Sequence, residues 1–323
     1  MKIRQLGKTD LQLTVVGFGA WAIGGGGWKF GWGPQDDTES IAAIRKALDL
    51  GVNWIDTAAI YGLGHSEEIV SEAIKGLAKP PIIATKCGLA WDKKGNISNC
   101  LKRESIRAEV EASLKRLGID VIDLYQIHWP IPDEDIEEGW ETMAKLVEEG
   151  KVRYIGVSNF SVSQMQRSQP IHPIASLQPP YSMVKRDVEE SILPYCGRNS
   201  IGVIVYSPMQ KGLLTGKITR ERVANFPADD HRRGDPDFNE PLLNLNLELV
   251  DKLTAIAKKH NKTVAQLSIA WVLRRPEVTA AIVGARRPEQ VTETVLAGDW
   301  TLPQEDVDAI EKLLAERQQE ICK

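Results

Sequence analysis

A chain of 323 residues with a net charge of −4, 42% hydrophobic and 26% charged, can bury a large core and carries no charge excess that would point to nucleic acid. No uncharged run is long enough to span a bilayer, and the opening MKIRQLGKTDLQLT lacks the apolar core of a signal peptide, so the cytoplasm is the expected compartment. Cys87, Cys100, Cys196 and Cys322 form no CxxC pair and no metal-site spacing with the histidines, so reduced thiols and no metal are expected.

The opening alternates apolar and polar residues around Gly7-Lys8, which predicts a two-stranded hairpin. Val15 to Gly19 and then Thr38 to Leu50, with Ile41, Ile44, Ala47 and Leu48 at helical spacing, make a first strand–helix unit. The pattern recurs: Trp54 to Asp56 then Glu67 to Leu77, Ile82 to Lys86 then Arg103 to Leu117, Leu124 to His128 then Ile136 to Glu149. Tyr154 to Asn159 precedes a helix over Val162 to Arg167, and Ala175 to Gln178 precedes one over Val188 to Cys196, before a seventh strand, Gly202 to Ser207. A long polar segment through DDHRRGDPDF then breaks the rhythm. Helices over Asn246 to His260 and Val264 to Arg275 lead to a last strand, Ala280 to Gly284, and helices over Pro288 to Leu296 and Pro303 to Gln318 follow.

Eight such units in order close best as a barrel, and no Pro/Ser-rich linker divides them. The expectation is an α/β fold, a (β/α)8 TIM barrel forming one domain over residues 1–323, with an N-terminal β-hairpin, two extra helices and a long loop after strand seven. The acidic stretch DEDIEE at 133–138 and the basic KITRER at 217–222 read as solvated surface.

Four polar residues, Asp56, Tyr61, Lys86 and His128, stand where short apolar runs end. In a parallel barrel such positions face the carboxyl-end mouth, where chemistry is done. A tyrosine that donates a proton to a carbonyl oxygen must overcome a free phenol pKa of about 10. A nearby ammonium favours the anion and a carboxylate fixes that ammonium, which are the roles open to Lys86 and Asp56. A neutral His128 imidazole can donate a hydrogen bond to the developing alkoxide. None of the four is a redox centre, so the hydride has to come from a dinucleotide. A different chemistry open to these residues is a barrel lyase with Lys86 as Schiff-base amine.

In the blocks GVNWIDTAAIYG, ATKCG, IDLYQIHWP, KVRYIGVSNF, SLQPPYS, VIVYSPMQKGLLTGK and AIVGARRPEQV, in this order from end to end, the chain resembles the aldo-keto reductase superfamily. The resemblance implies reduction of an aldehyde or ketone to an alcohol, with Asp56, Tyr61, Lys86 and His128 as the catalytic set. It implies that Ser158, Asn159 and Gln178 hold the nicotinamide carboxamide, that Tyr206 stacks on its ring, and that Ser207, Met209, Gly212, Leu213 and Lys217 wrap the pyrophosphate. Met209 stands in place of the more usual leucine. Gly284, Arg286, Gln290 and Glu293 match positions that hold the adenosine 2′-phosphate and the adenine, and the Arg286 fork makes NADPH/NADP the implied cofactor. Thr294 stands where many relatives carry an asparagine that touches the adenine.

No GxGxxG loop follows the first strand, in keeping with a nucleotide bound on a barrel. The glycines at 24–27 are expected to form a mobile rim of the substrate pocket, and Trp21, Trp91 and Trp129, which follow strands one, three and four, to line it. The implied partner is a small carbonyl substrate. A related possibility is an NADPH-bound sensor or regulatory subunit with little turnover.

Overall fold

The computed structural model describes residues 1–322. At the start of the chain Ile3–Gln5 pairs antiparallel with Gln12–Thr14, as the alternation predicts. The turn requires glycine: Gly7 has φ +55°, and a Cβ there would lie 2.8 Å from the carbonyl oxygens of Ala175 and Ser200. Leu6, Leu11 and Leu13 are thereby pressed into a cluster with Trp54, Leu124 and Ile204, each contributing about 2 kcal/mol by burial. The Trp54 indole N–H donates to the Thr14 carbonyl at 2.9 Å. The hairpin is thus the floor of what is built above it.

Above that floor eight parallel strands close into a barrel: β1 (Val16–Gly19), β2 (Trp54–Asp56), β3 (Ile82–Cys87), β4 (Ile122–Ile127), β5 (Val152–Ser158), β6 (Ser176–Gln178), β7 (Gly202–Val205) and β8 (Val278–Gly284). β8 pairs with β1 from Ala281 opposite Val16 to Gly284 opposite Gly19, which seals the ring. The TIM barrel expected from the repeat is the observed fold. Helix Arg103–Leu117 has the expected bounds and ends at Gly118, in the left-handed conformation at φ +66°.

Two local expectations are corrected. The helix read over Val188 to Cys196 is a 3-10 turn, Asp187–Glu189, followed by a helix over Ile192–Asn199. Pro194, lacking an N–H, fits the first turn of the second helix but not the interior of a continuous one. After β3 the chain also makes an unexpected hairpin, Leu89–Trp91 against Ile97–Asn99. Its turn is held by the Asp92 carboxylate, which accepts from the Lys94 and Asn96 N–H groups at 2.8 and 2.9 Å. The signal was present in the sequence as DKKGN between two short apolar runs.

The segment after β7 is not an open loop. It runs through short helical turns at Gln210–Thr215, Arg220–Ala224, His231–Gly234 and Pro236–Phe238, around a small core of Leu213, Ile218, Phe226, Phe238 and Leu243. The helices Leu242–Lys259 and Val264–Leu273 then return the chain to β8. This strap reaches across to the loop after β1. The His231 N–H donates to the Gly31 carbonyl at 3.1 Å, the Gly27 N–H donates to Asp229 at 3.2 Å, and the Arg232 guanidinium lies 4.6 Å from the centre of the Trp32 ring. Of the glycines at 24–27, expected as a rim of the substrate pocket, none lines the cavity, and two are wedged in place: a Cβ on Gly24 would meet the Gly62 nitrogen at 2.9 Å, and one on Gly26 would meet the Asp229 carboxylate at 2.8 Å.

Candidate active site

The carboxyl ends of the strands open into a cavity of about 630 Å³, roofed on one side by the strap and the loop after β1. Asp56 ends β2, Lys86 lies near the end of β3, His128 follows β4 directly, and Tyr61 comes from the turn after β2. The barrel brings all four together. The Lys86 ammonium donates to Asp56 Oδ1 at 2.7 Å, to the Thr57 carbonyl at 2.8 Å and to the Tyr61 hydroxyl at 3.4 Å. Its side chain has 0% exposure and that of Asp56 3%. The Tyr61 and His128 rings meet edge to face with centroids 5.8 Å apart. Tyr61 and His128 face the cavity, while Lys86 stands behind them.

The electrostatics depart from expectation in one respect. Burial, with the Lys86 charge adding to it, holds the His128 imidazole well below its usual range, so it is neutral at pH 7, as expected. Burial, then the Asp56 charge and Tyr206, pushes the Tyr61 phenol well above its usual range. The expected Tyr61–Lys86 contact is present, but it does not bring the resting phenol down. Tyr61 therefore rests protonated. Burial also lowers Lys86, and Asp56 beside it opposes that shift.

Ser158, Asn159 and Gln178 form one polar strip next to this group. Gln178 Nε2 donates to Asp56 Oδ2 at 2.8 Å, the Ser158 hydroxyl to the Gln178 carbonyl at 2.8 Å, and Asn159 Nδ2 to the His128 carbonyl at 3.0 Å. The Tyr206 hydroxyl donates to Asn159 Oδ1 at 2.9 Å. Asn159 adopts φ +63°, a left-handed backbone that asparagine tolerates better than most residues. All four line the cavity.

Of the residues assigned to the rest of a nucleotide, Ser207, Met209, Gly212, Lys217, Gly284, Arg286, Gln290 and Glu293 line the cavity, and so does Thr294. Leu213 does not: its side chain is fully buried in the strap's own core. Lys217 is paired with Glu293 at 3.0 Å. Arg286 is no free fork, because its guanidinium donates to Gln35 Oε1 at 2.5 Å and to the Trp32 carbonyl at 3.2 Å. The KITRER stretch is not simply solvated surface, since Lys217 and Arg222 both line the cavity.

Trp21 and Trp129 line the cavity and Trp91 does not. In the hairpin after β3 Trp91 packs behind the cavity wall, against the cluster that holds Tyr61 and Leu89 and under the Arg116 guanidinium, 5.7 Å from the ring centre. Sequence reasoning missed Trp28, Phe30 and Trp32 on the loop after β1, and Lys211 and Arg232 on the strap, all of which line the cavity. The aromatic density of GWKFGWG was the available sign.

Residues 16–315 match the Aldo/keto reductase family model. The chain belongs to the aldo/keto reductase family. It is 43% identical over 317 residues to the aldo-keto reductase YhdN of Bacillus subtilis, covering 97% of this chain and 94% of that protein. It is 37% identical to the NADH-specific methylglyoxal reductase of Escherichia coli, covering 97% of this chain and 100% of that one. Among solved structures, the glycerol dehydrogenase AKR11B4 of Gluconobacter oxydans superposes with a TM-score of 0.89 at 39% identity, over 98% of this chain and 95% of that one.

Aldo/keto reductases use nicotinamide cofactors, and the cleft of this reductase fits a dinucleotide in two ways. Gly212 adopts φ +92°, and a Cβ there would meet only Arg232 Nη1, at 3.8 Å, so its backbone is open to close approach. Lys211, Lys217, Arg222, Arg232 and Arg286 also line one end of the cavity, a donor set suited to phosphates.

Proposed function

We propose that this enzyme reduces small aldehydes or ketones with NADPH, and that Tyr61 is the general acid. The observation that carries the reading is the Lys86 ammonium, buried and shared between the Asp56 carboxylate and the Tyr61 hydroxyl, beside a neutral His128. A bound nicotinamide supplies the hydride. Tyr61, protonated at rest, gives its proton to the carbonyl oxygen, and the Lys86 charge then stabilises the phenolate left behind. The neutral His128 ring donates a hydrogen bond to the same oxygen, worth about 3 kcal/mol. Ser158, Asn159, Gln178 and Tyr206 hold and orient the nicotinamide, and Ser207, Met209, Gly212 and Lys217 hold the pyrophosphate.

The preference for NADPH is supported by a surplus of positive charge. Burial lowers Arg286, the nearby Arg232, Arg287 and Arg222 cations press it the same way, and Asp230 alone opposes them. Arg286 and Arg222 donate to carbonyl and amide oxygens rather than to carboxylates. A phosphate dianion relieves that repulsion. The substrate end is apolar, with Phe30 at 38%, Trp129 at 39% and Ile131 at 46% exposure around its mouth. Carbonyl compounds with an aromatic or branched apolar body fit it better than very small polar ones.

The sensor reading is not favoured, because the catalytic set is complete. The lyase reading is disfavoured by the three hydrogen bonds that hold Lys86 as an ammonium, which is no nucleophile. The test is oxidation of NADPH, and of NADH in parallel, with a panel of aldehydes, comparing the wild type with Tyr61→Phe. Turnover that vanishes in the variant while NADPH still binds supports the reading. Faster turnover with NADH overturns the cofactor assignment, and undiminished turnover by Tyr61→Phe overturns the role of Tyr61.

A further inference from the structure

The proposed chemistry makes no use of Glu67, yet this carboxylate has 0% exposure and lies in the helix His65–Ile74, just after the turn that carries Tyr61. A hidden carboxylate is costly unless every partner is in place. Glu67 has two. Its Oε1 accepts from the Thr85 hydroxyl at 2.6 Å, and its Oε2 accepts from the Arg116 Nε–H at 2.7 Å. Arg116 is in turn braced by Ser113 Oγ at 3.3 Å and by the Trp91 ring beneath it. Gly64, at φ +105°, leaves room for this arrangement, since a Cβ there would stand 2.9 Å from Arg116 Cδ.

The partners of Glu67 lie beside the catalytic group. Thr85 directly precedes Lys86 on β3, so the two side chains point to opposite faces of the barrel wall. The Ser66 N–H, next to Glu67, donates to the Tyr61 carbonyl at 3.1 Å. One short bond from Glu67 therefore ties the turn carrying Tyr61 to the strand carrying Lys86. The charges also balance, with Asp56 and Glu67 against Lys86 and Arg116.

We propose that Glu67 is a positioning residue for the reduction: through Thr85 it holds Tyr61 and Lys86 within hydrogen-bond reach, and its charge supports the lysine ammonium from behind. The proposal rests on the reading of Tyr61 as an acid backed by Lys86. The groups that face the ammonium are Asp56 and the Thr57 carbonyl from the end of β2, Tyr61 from the turn and His128 after β4, while Glu67 acts on it only through space, from the other face of the barrel wall. Burial opposes the Lys86 charge, and Asp56 and Glu67 sustain it. Removing the Glu67 charge lowers the pH at which Lys86 gives up its proton.

The test is the pH profile of kcat for Glu67→Gln, Glu67→Asp and Thr85→Val, with Tyr61→Phe alongside. In Glu67→Gln the basic limb is expected to move down by about one pH unit. In Thr85→Val, which keeps the charge and loses the tie, kcat is expected to fall about tenfold with the limb in place and KM for the carbonyl within about twofold. Glu67→Asp keeps the charge and should restore the wild-type limb. A purely structural role would lower Tm and leave the limb where it is. If Glu67→Gln does not fold, the other two variants decide: wild-type kcat and limb in both overturn the proposal, and a Thr85→Val deficit in kcat alone supports it. If Tyr61→Phe turns over normally, the underlying reading has failed; if it is inactive while Glu67→Gln and Thr85→Val match wild type, the positioning role alone has failed.

Discussion

The two ends of the cavity are held in shape by different means. At the proposed catalytic end Asp56 and Lys86 come from strands, are almost completely buried and are joined by a bond of 2.7 Å, and the half-buried His128 directly follows β4. At the proposed nucleotide end Lys217 and Arg286 sit on loops, and their partners come from other segments: Lys217, 58% exposed, reaches Glu293 on the helix Pro288–Val295, and Arg286 reaches Gln35 and the Trp32 carbonyl on the loop after β1. Strand ends keep their geometry because the barrel ladder sets it. Loops keep theirs only by clasping one another, which also lets them open. The group proposed for the chemistry is preorganised, whereas the roof of the cavity depends on contacts that a single side chain can undo.

The largest expected effect breaks the rigid end. Tyr61→Phe should lower kcat/KM for an aldehyde about 1,000-fold, read from nicotinamide absorbance, while the cofactor Kd stays within about threefold. Next comes Asp56→Asn, which strands the Lys86 ammonium in a buried site. It should cost about 3 kcal/mol of stability in denaturant unfolding, besides most of the activity. A stability near wild type would mean that Lys86 gives up its charge in the folded state.

Variants at the loop end should act on binding and spare the chemistry. Arg232 pairs with Asp230 at 2.6 Å and lies against both Trp32 and Phe226, so Arg232→Met should loosen the strap and raise the NADPH Kd about tenfold. Single-turnover hydride transfer at saturating cofactor should then hold near the wild-type rate, and a large fall in it would erase the contrast between the two ends. Trp129→Ala should raise KM for an aromatic aldehyde about fivefold, whereas Trp91→Ala should leave KM unchanged and lower Tm.

The smallest effect concerns Glu109, which accepts from the Gly88 N–H at 2.9 Å at the end of β3. Burial pushes its pKa up from 4.5 to about 7. Because the folded state binds this proton more tightly than the unfolded chain does, stability from this group is full below about 4.5 and is lost as pH rises through about 7. Glu109→Gln should therefore gain about 1 kcal/mol above that range and nothing at the acid end, as read from Tm against pH.

The same contrast explains what could be read in advance. Asp56, Lys86 and His128 were legible because each ends an apolar run, and in a parallel barrel that position alone sends the residue to the mouth. Tyr61 was legible in the same way, as a polar residue ending the short apolar run after Asp56, and again through its family block. Trp91 was misplaced because the hairpin of Leu89–Trp91 and Ile97–Asn99 sets it behind the cavity wall, against Arg116, and nothing in a strand-then-tryptophan pattern records that hairpin. Arg222 was read as solvated because a charge run looks alike on a free surface and on a strap folded over a cleft. The sign of the Tyr61 shift was missed for a related reason: residue types show which charges are near, but the depth of burial, which dominates here, is a property of the assembled fold.

By itself the sequence determined the barrel, the order of its strands and the polar residues placed at their ends, since these follow from local periodicity and from residues placed at fixed points of a repeating unit. Tertiary structure alone decided the roof of the cavity, the partners of Arg286 and Lys217, and the tie from Glu67 through Thr85 to the strand that carries Lys86. Those depend on contacts between segments far apart in the chain, such as Gly31 with His231 and Gln35 with Arg286, and no local pattern encodes them.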